Sequence, residues 1–149
     1  MAGLTQAMCT SFKVELFKGT HNFTLTTGSV FKCALFKGTA SIAGTFGAAT
    51  TNYSAMGTDE NAGTLYTATG NTLTNVTPIA SGTTAICDFA DTTWAGATIT
   101  SRGALLYNST AGGNAVGVID FLADKVSTAG DFSIIWPAAD ATNAIIRIS

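Results

Sequence analysis

Charge is scarce in this chain. Asp, Glu, Lys and Arg make up 11% of its 149 residues, less than half the roughly 25% of an ordinary soluble domain. Seven basic against nine acidic residues leave a formal charge of -2, which supplies no polycationic field for phosphates or anionic lipid. Neither nucleic acid nor membrane is therefore an expected partner. No apolar run approaches the roughly 20 residues of a membrane-crossing helix. Met1 to Thr10 has neither a basic start nor an apolar stretch, so no secretory signal is visible.

Histidine and cysteine are also sparse. The single imidazole, His21, stands beside Asn22 in a turn-like segment and reads as a loop histidine without catalytic duty. The chain has no Gly-x-Ser-x-Gly elbow, phosphate-binding loop or dinucleotide fingerprint. Cys9, Cys33 and Cys87 are odd in number and widely spaced, which suits reduced thiols, with Cys33 and Cys87 buried as small hydrophobes. Asp88, Asp91, Asp120, Asp124 and Asp131 lack the every-second-residue oxygen pattern of a calcium loop and read as turn caps at strand ends. The expectation is a non-enzymatic protein with no cofactor and no metal. The four Asn-x-Ser/Thr sequons, at Asn22, Asn52, Asn75 and Asn108, are what a threonine-rich chain generates by chance.

What fills the space is small and β-branched: 26 Thr, 24 Ala, 16 Gly and 10 Ser, with 46% apolar residues overall. This composition excludes disorder and suits strands joined by many turns. At this length the chain makes one domain with a core of its own. A weakly charged outer face is usually covered by other protein chains.

Residues 1 to 50 carry +3 and the remainder -5. Such polarity either orients copies head to tail or reflects charges scattered over different faces. An internal echo lies in the basic part: Phe12-Lys13-Val14-Glu15-Leu16-Phe17-Lys18-Gly19-Thr20 recurs as Phe31-Lys32-Cys33-Ala34-Leu35-Phe36-Lys37-Gly38-Thr39, with seven of nine positions identical. The first copy fits a short helix or a strand equally, and the second reads as a strand over 29–36. From 39 to 70 the chain is mostly Ala, Gly, Thr and Ser. It is either an arm ordered by a partner or a glycine-rich flap on its own domain. Residues 1–9 form an N-terminal arm. Strands follow at 84–89, 98–107, 115–121, 131–136 and 144–148, with hairpin connections at 108–114 and 124–130. The expected fold is all-β, an antiparallel sandwich or small barrel with one possible short helix near the start. Phe121, Phe132, Ile134 and Trp136 are expected in its core, and Pro137 ends the strand that carries Trp136. Arg102, polar within a long strand, belongs on the opposite face or in an interface.

The second half resembles a family of small tailed-bacteriophage virion proteins. The likeness is carried by Asp91-Thr92-Thr93-Trp94, Thr98 to Ala104, Tyr107-Asn108, Val118 to Lys125 and Ser127 to Trp136. More loosely, Ser11-Phe12-Lys13 with Leu16 and Gly19-Thr20, then Val30 to Leu35, is similar to the family's opening, where a short helix precedes the first strand. The resemblance implies a virion structural protein made in the host bacterial cytoplasm, specifically a head decoration (cement) protein. Its partners would be the major capsid protein and further copies of itself, and the low charge leads us to expect that it holds on through apolar and strand-edge contacts. Within that reading Lys13, Lys18, Lys32, Lys37, Tyr53 and Tyr66 are candidate interaction residues. The alternatives are a tail, baseplate or fibre component, and an exterior carbohydrate- or receptor-binding module using Tyr53, Tyr66 and Trp94. Trp94, framed by strands, also reads as core.

Overall fold

The computed structural model describes residues 2–149, and Met1, the first residue of the expected arm, lies outside the described residues. In chain order the elements are β1 (Gly3–Leu4), β2 (Ala7–Met8), α1 (Thr10–Phe17), β3 (Phe31–Leu35), β4 (Thr45–Phe46), β5 (Asn71–Thr72), β6 (Asn75–Ser81), β7 (Thr84–Phe89), β8 (Thr92–Asn108), β9 (Asn114–Ile134) and β10 (Ile146–Ile148). They build an all-β sandwich. A five-stranded sheet runs β2-β9-β8-β3-β5, a three-stranded sheet runs β10-β7-β6, and β1 pairs with β4. Every pairing is antiparallel except β1 with β4.

The dominant feature is the β8–β9 ribbon, whose pairing starts at Asn108 with Asn114 and ends at Thr92 with Ile134. Residues 124–130, expected as a hairpin connection, instead continue β9: Lys125, Val126 and Ser127 pair with Ser101, Thr100 and Ile99. The β-branched residues there have a partner strand within reach, and this outweighs the local turn signal. The real irregularity is earlier. Ser101 pairs with Lys125 but Gly103 with Asp120, so residues 121–124 stand out as a bulge, with Leu122 at φ 65°. There the ribbon folds over. The Phe121 and Phe132 rings, eleven residues apart on one strand, lie 6.3 Å from centroid to centroid, where an extended strand would separate them by about 35 Å.

The two copies of the echo take different structures. Phe12 to Phe17 belongs to α1, and Phe31 to Leu35 is strand β3, an interior strand between β8 and β5. Phe31, Leu35 and Phe36 are fully buried, whereas on α1 Phe12 is buried and Phe17 is 95% exposed.

The N-terminal stretch from residue 2 and the 39–70 stretch are both built into the domain. Cys9 is buried, its N–H donating to the Val116 carbonyl (3.0 Å), and β2 pairs with β9. In the 39–70 stretch the flap alternative holds. The buried Asp59 carboxylate accepts the N–H groups of Ala43 and Gly44, each at 2.8 Å, while Met56 and Phe46 are in the core. The flap returns to the sheet at Gly70, whose φ of 71° and position against the Cys33 carbonyl, 1.9 Å from where a Cβ would sit, leave no room for a side chain.

Of the residues expected in the core, Phe132, Ile134 and Trp136 are buried, and Phe121 is only partly buried, packed against the core from the bulge. β9 ends at Ile134, two residues before Trp136, because Trp136 N–H donates to Asp91 Oδ1 (2.8 Å) rather than to a neighbouring strand. Cys33 is buried as expected, but Cys87 is only partly so, and Cys9, from the expected arm, is fully enclosed. Burial pushes the Cys9 thiol up to about 11 and the Cys87 thiol up to about 12, so neither supplies thiolate near neutrality.

Candidate interaction surface

The chemistry-bearing side chains are largely turned to structural work. His21 is a buried member of an aromatic cluster rather than a plain loop residue, its ring stacked on Phe31 at 6.2 Å. Asn108 Oδ1 accepts the Ala111 N–H (3.1 Å), which turns the Asn108 amide nitrogen toward His21 Nδ1 (3.0 Å). Nδ1 therefore accepts, and Nε2 carries the hydrogen donated to Glu15 Oε2 (2.7 Å). Glu15 Oε1 accepts from Asn114 Nδ2 (3.0 Å). Both ring nitrogens are thus occupied.

Tyr53 and Tyr66 are not an exposed aromatic pair. Both hydroxyls donate to the Glu60 carboxylate, at 2.5 and 2.8 Å, and Tyr66 Oη accepts the Leu35 N–H (3.0 Å). Tyr53 stacks on Tyr107 and Tyr66 on the buried Trp94. Tyr107 donates to the Thr69 carbonyl (2.7 Å), and burial pushes its phenol up to about 12. With their rings spent on packing and their hydroxyls on Glu60, these residues offer no stacking platform for a sugar, which removes the observation that would favour a carbohydrate module.

The four lysines do not form one cluster either. Lys32 Nζ donates to Thr69 Oγ1 (2.5 Å) beside the Glu60 group, and Lys37 is half-buried where the chain leaves β3. Lys13 on α1 and Lys18, the αR residue that caps its C-terminus, are the two exposed lysines that lie together. At about 100° per residue, Lys13, Phe17, Val14 and Lys18 follow one another around the helix over roughly 140°, so two apolar side chains are flanked by two cations.

The five aspartates read as turn caps at strand ends make local contacts, Asp88 Oδ1 accepting the Phe89 N–H (2.8 Å). Asp91 caps Trp136, Asp131 Oδ1 accepts the Gly96 N–H (3.0 Å), and Asp88 is buried, with burial raising its carboxyl. Arg102 forks onto Asp120, Nε to Oδ1 at 2.6 Å and Nη2 to Oδ2 at 3.2 Å, and Asp120 Oδ1 also accepts the Leu122 N–H (2.8 Å). Asp124 accepts both the N–H and the hydroxyl of Thr39. This network clamps the bulge, so that Leu122, 79% exposed, is held out on a fixed backbone.

The clamp gives a pH dependence. The Arg102 hydrogen bond holds the Asp120 carboxyl below its ordinary value of 3.8, and the Thr39 hydroxyl does the same for Asp124. A carboxylate whose folded value is depressed stabilises the fold fully above the unfolded value, and that stabilisation is lost as pH falls through the folded one. Thermal melts from neutrality to about pH 2 should therefore show a steeper acid loss of Tm in the wild type than in Arg102→Ala, which lacks the Asp120 contribution. Parallel acid limbs would show that the clamp does not contribute.

Sequence reasoning missed the surface features that stand out most: Phe17, Leu122 and Ile135, all large, apolar and strongly exposed. It also missed an open apolar groove of about 590 Å³ between the two sheets, lined by Met8, Val118, Phe121, Ile134, Ile135 and Trp136 among others. The alternation of buried Ile134 with exposed Ile135 was a signal for the latter, because Phe132, Ile134 and Trp136 already fill the inward positions. No family model, curated protein or solved structure matches the chain.

Proposed function

We propose that this protein is a non-enzymatic structural component of a tailed-bacteriophage virion, specifically a head decoration protein that binds the major capsid lattice in many copies. The supporting observation is the division of labour on its surface. Among the described residues the Arg102–Asp120 ion pair and the His21–Glu15 hydrogen bond both lie within the domain, while Phe17, Leu122, Ile135 and Ile148 face outward. Apolar side chains displayed on a rigid frame suit packing between chains. Strand-edge pairing has less to offer. β2 and β5, at the edges of the large sheet, are two residues long, and β6 carries Pro78 in its irregular stretch.

Attachment through apolar area is insensitive to salt, whereas docking of Lys13, Lys18, Lys32 and Lys37 on an acidic patch would be screened at a Debye length of about 3 Å in 1 M salt. Virions washed in roughly molar NaCl should keep the protein, and urea should release it. Loss in salt alone overturns the apolar attachment. A band intensity close to that of the major capsid protein supports a head or tail-tube station, and a small fraction of it supports a baseplate or fibre station instead.

A further inference from the structure

The α1 face and the groove are chemically complementary. Phe17 is 95% exposed and Val14 lies beside it on α1. Glu15, the acid of this helix, turns away from that face to His21 and Asn114. Neither Lys13 nor Lys18 is ion-paired with a carboxylate among the described residues. The outward face of α1 is thus an aromatic knob with a cation on each side.

The groove is its counterpart. Its wall is apolar, its lip is formed by Ile135, 70% exposed, and it is open along one side. Its volume falls in the range that holds a ligand-sized apolar group. Two acids sit at its margin: Asp91 accepts the N–H of the lining residue Trp136, and Asp140 accepts from the side-chain amide of the lining residue Asn143 (2.9 Å). Arg147 donates to the carbonyls of Ala141 and Thr142 and stands close enough to Asp140 to help the Asn143 amide hold its carboxyl low, so Asp91 is the margin's acid without a nearby cation.

From this we infer that the protein binds a second copy of itself, the Val14–Phe17 face of one copy seated in the groove of the next with Lys13 and Lys18 facing the acidic margin. The pairing puts like with unlike twice over, ring into apolar groove and cation onto acid. It also gives a spatial meaning to the +3 and -5 halves of the sequence. The inference rests on the multi-copy part of the proposed function and not on the capsid.

The test uses the purified full chain without particles. Phe17→Ala removes the knob and Ile135→Arg puts a charge on the groove lip. Both positions are exposed, so unchanged thermal melts are expected and serve as the folding control. Sedimentation of the wild type should show association that each variant weakens at least about 10-fold, the effect of losing an aromatic anchor. Mixing the two variants should restore a dimer, because one still has its knob and the other its groove. Three results overturn the inference: a wild type that is monomeric at roughly millimolar concentration, variants that associate as the wild type does, or two monomeric variants that do not complement. If Phe17→Ala strips the protein from virions yet leaves self-association intact, the knob belongs to another virion protein, and the second-copy assignment fails while the virion reading stands.

Discussion

Phe36→Ala should lower the unfolding free energy by about 3–5 kcal/mol, whereas Phe17→Ala, at the same position of the repeated nonapeptide, should change it by no more than about 0.5 kcal/mol. Phe36 is fully buried at the end of β3, its ring 4.6 Å from that of Phe46, and its N–H donates to the Gly103 carbonyl (2.9 Å). Truncating it removes a large buried ring and leaves a cavity between the flap and the large sheet. Phe17 ends α1 with its ring in solvent, so no packing is lost. Urea unfolding of both variants decides the matter. Equal losses would mean that the helix and strand assignments of the two copies do not hold in solution.

Asp59→Ala should cost about 2–5 kcal/mol and loosen the flap before the rest of the domain. The buried carboxylate accepts two backbone N–H groups, from Ala43 and Gly44. The variant leaves both without their acceptor, at up to roughly 1–3 kcal/mol for a donor that water does not reach, and opens a cavity beside Phe46. Limited proteolysis gives the readout. The wild type should resist cleavage between 39 and 70 without any partner, because Asn61 Nδ2 also donates to the Phe36 and Thr100 carbonyls (3.3 and 2.7 Å) and ties the flap to the sheet. The variant should be cut there first, with the β8–β9 ribbon intact. A wild-type flap that is cut as readily as the variant's would restore the arm that is ordered only by a partner.

The candidate surface was legible in the sequence only in part. Low charge pointed to attachment through apolar area, and Lys13 and Lys18 were singled out for their excess of positive charge. Tyr53 and Tyr66 were singled out as isolated aromatics in a small-residue segment, but their fate depended on Glu60, a nearby acid whose carboxylate collects both hydroxyls. Phe17 was hidden because its copy in the echo, Phe36, is core, and nothing local distinguishes them. The groove was invisible because its walls come from β2, both ends of β9 and the segment leading into β10, which only the folded ribbon brings together.

Composition and alternation by themselves determined that this chain is an all-β domain, because threonine-rich strands with turn residues between them have few other ways to bury a large apolar fraction. Alternation also placed Phe132, Ile134 and Trp136 inward, a local property of side chains on a pleated strand. The tertiary structure alone decided the rest. It made one nonapeptide a helix and its near-identical copy a strand, since Phe31 to Leu35 has β8 and β5 to pair with and Phe12 to Phe17 has no strand partner. It turned an apparent hairpin into continuous strand with a clamped bulge, because Ser101 and Arg102 on the neighbouring strand supply the partners for Lys125 and Asp120. Pairing across a sheet is set by residues far away in sequence, and local pattern carries no information about them.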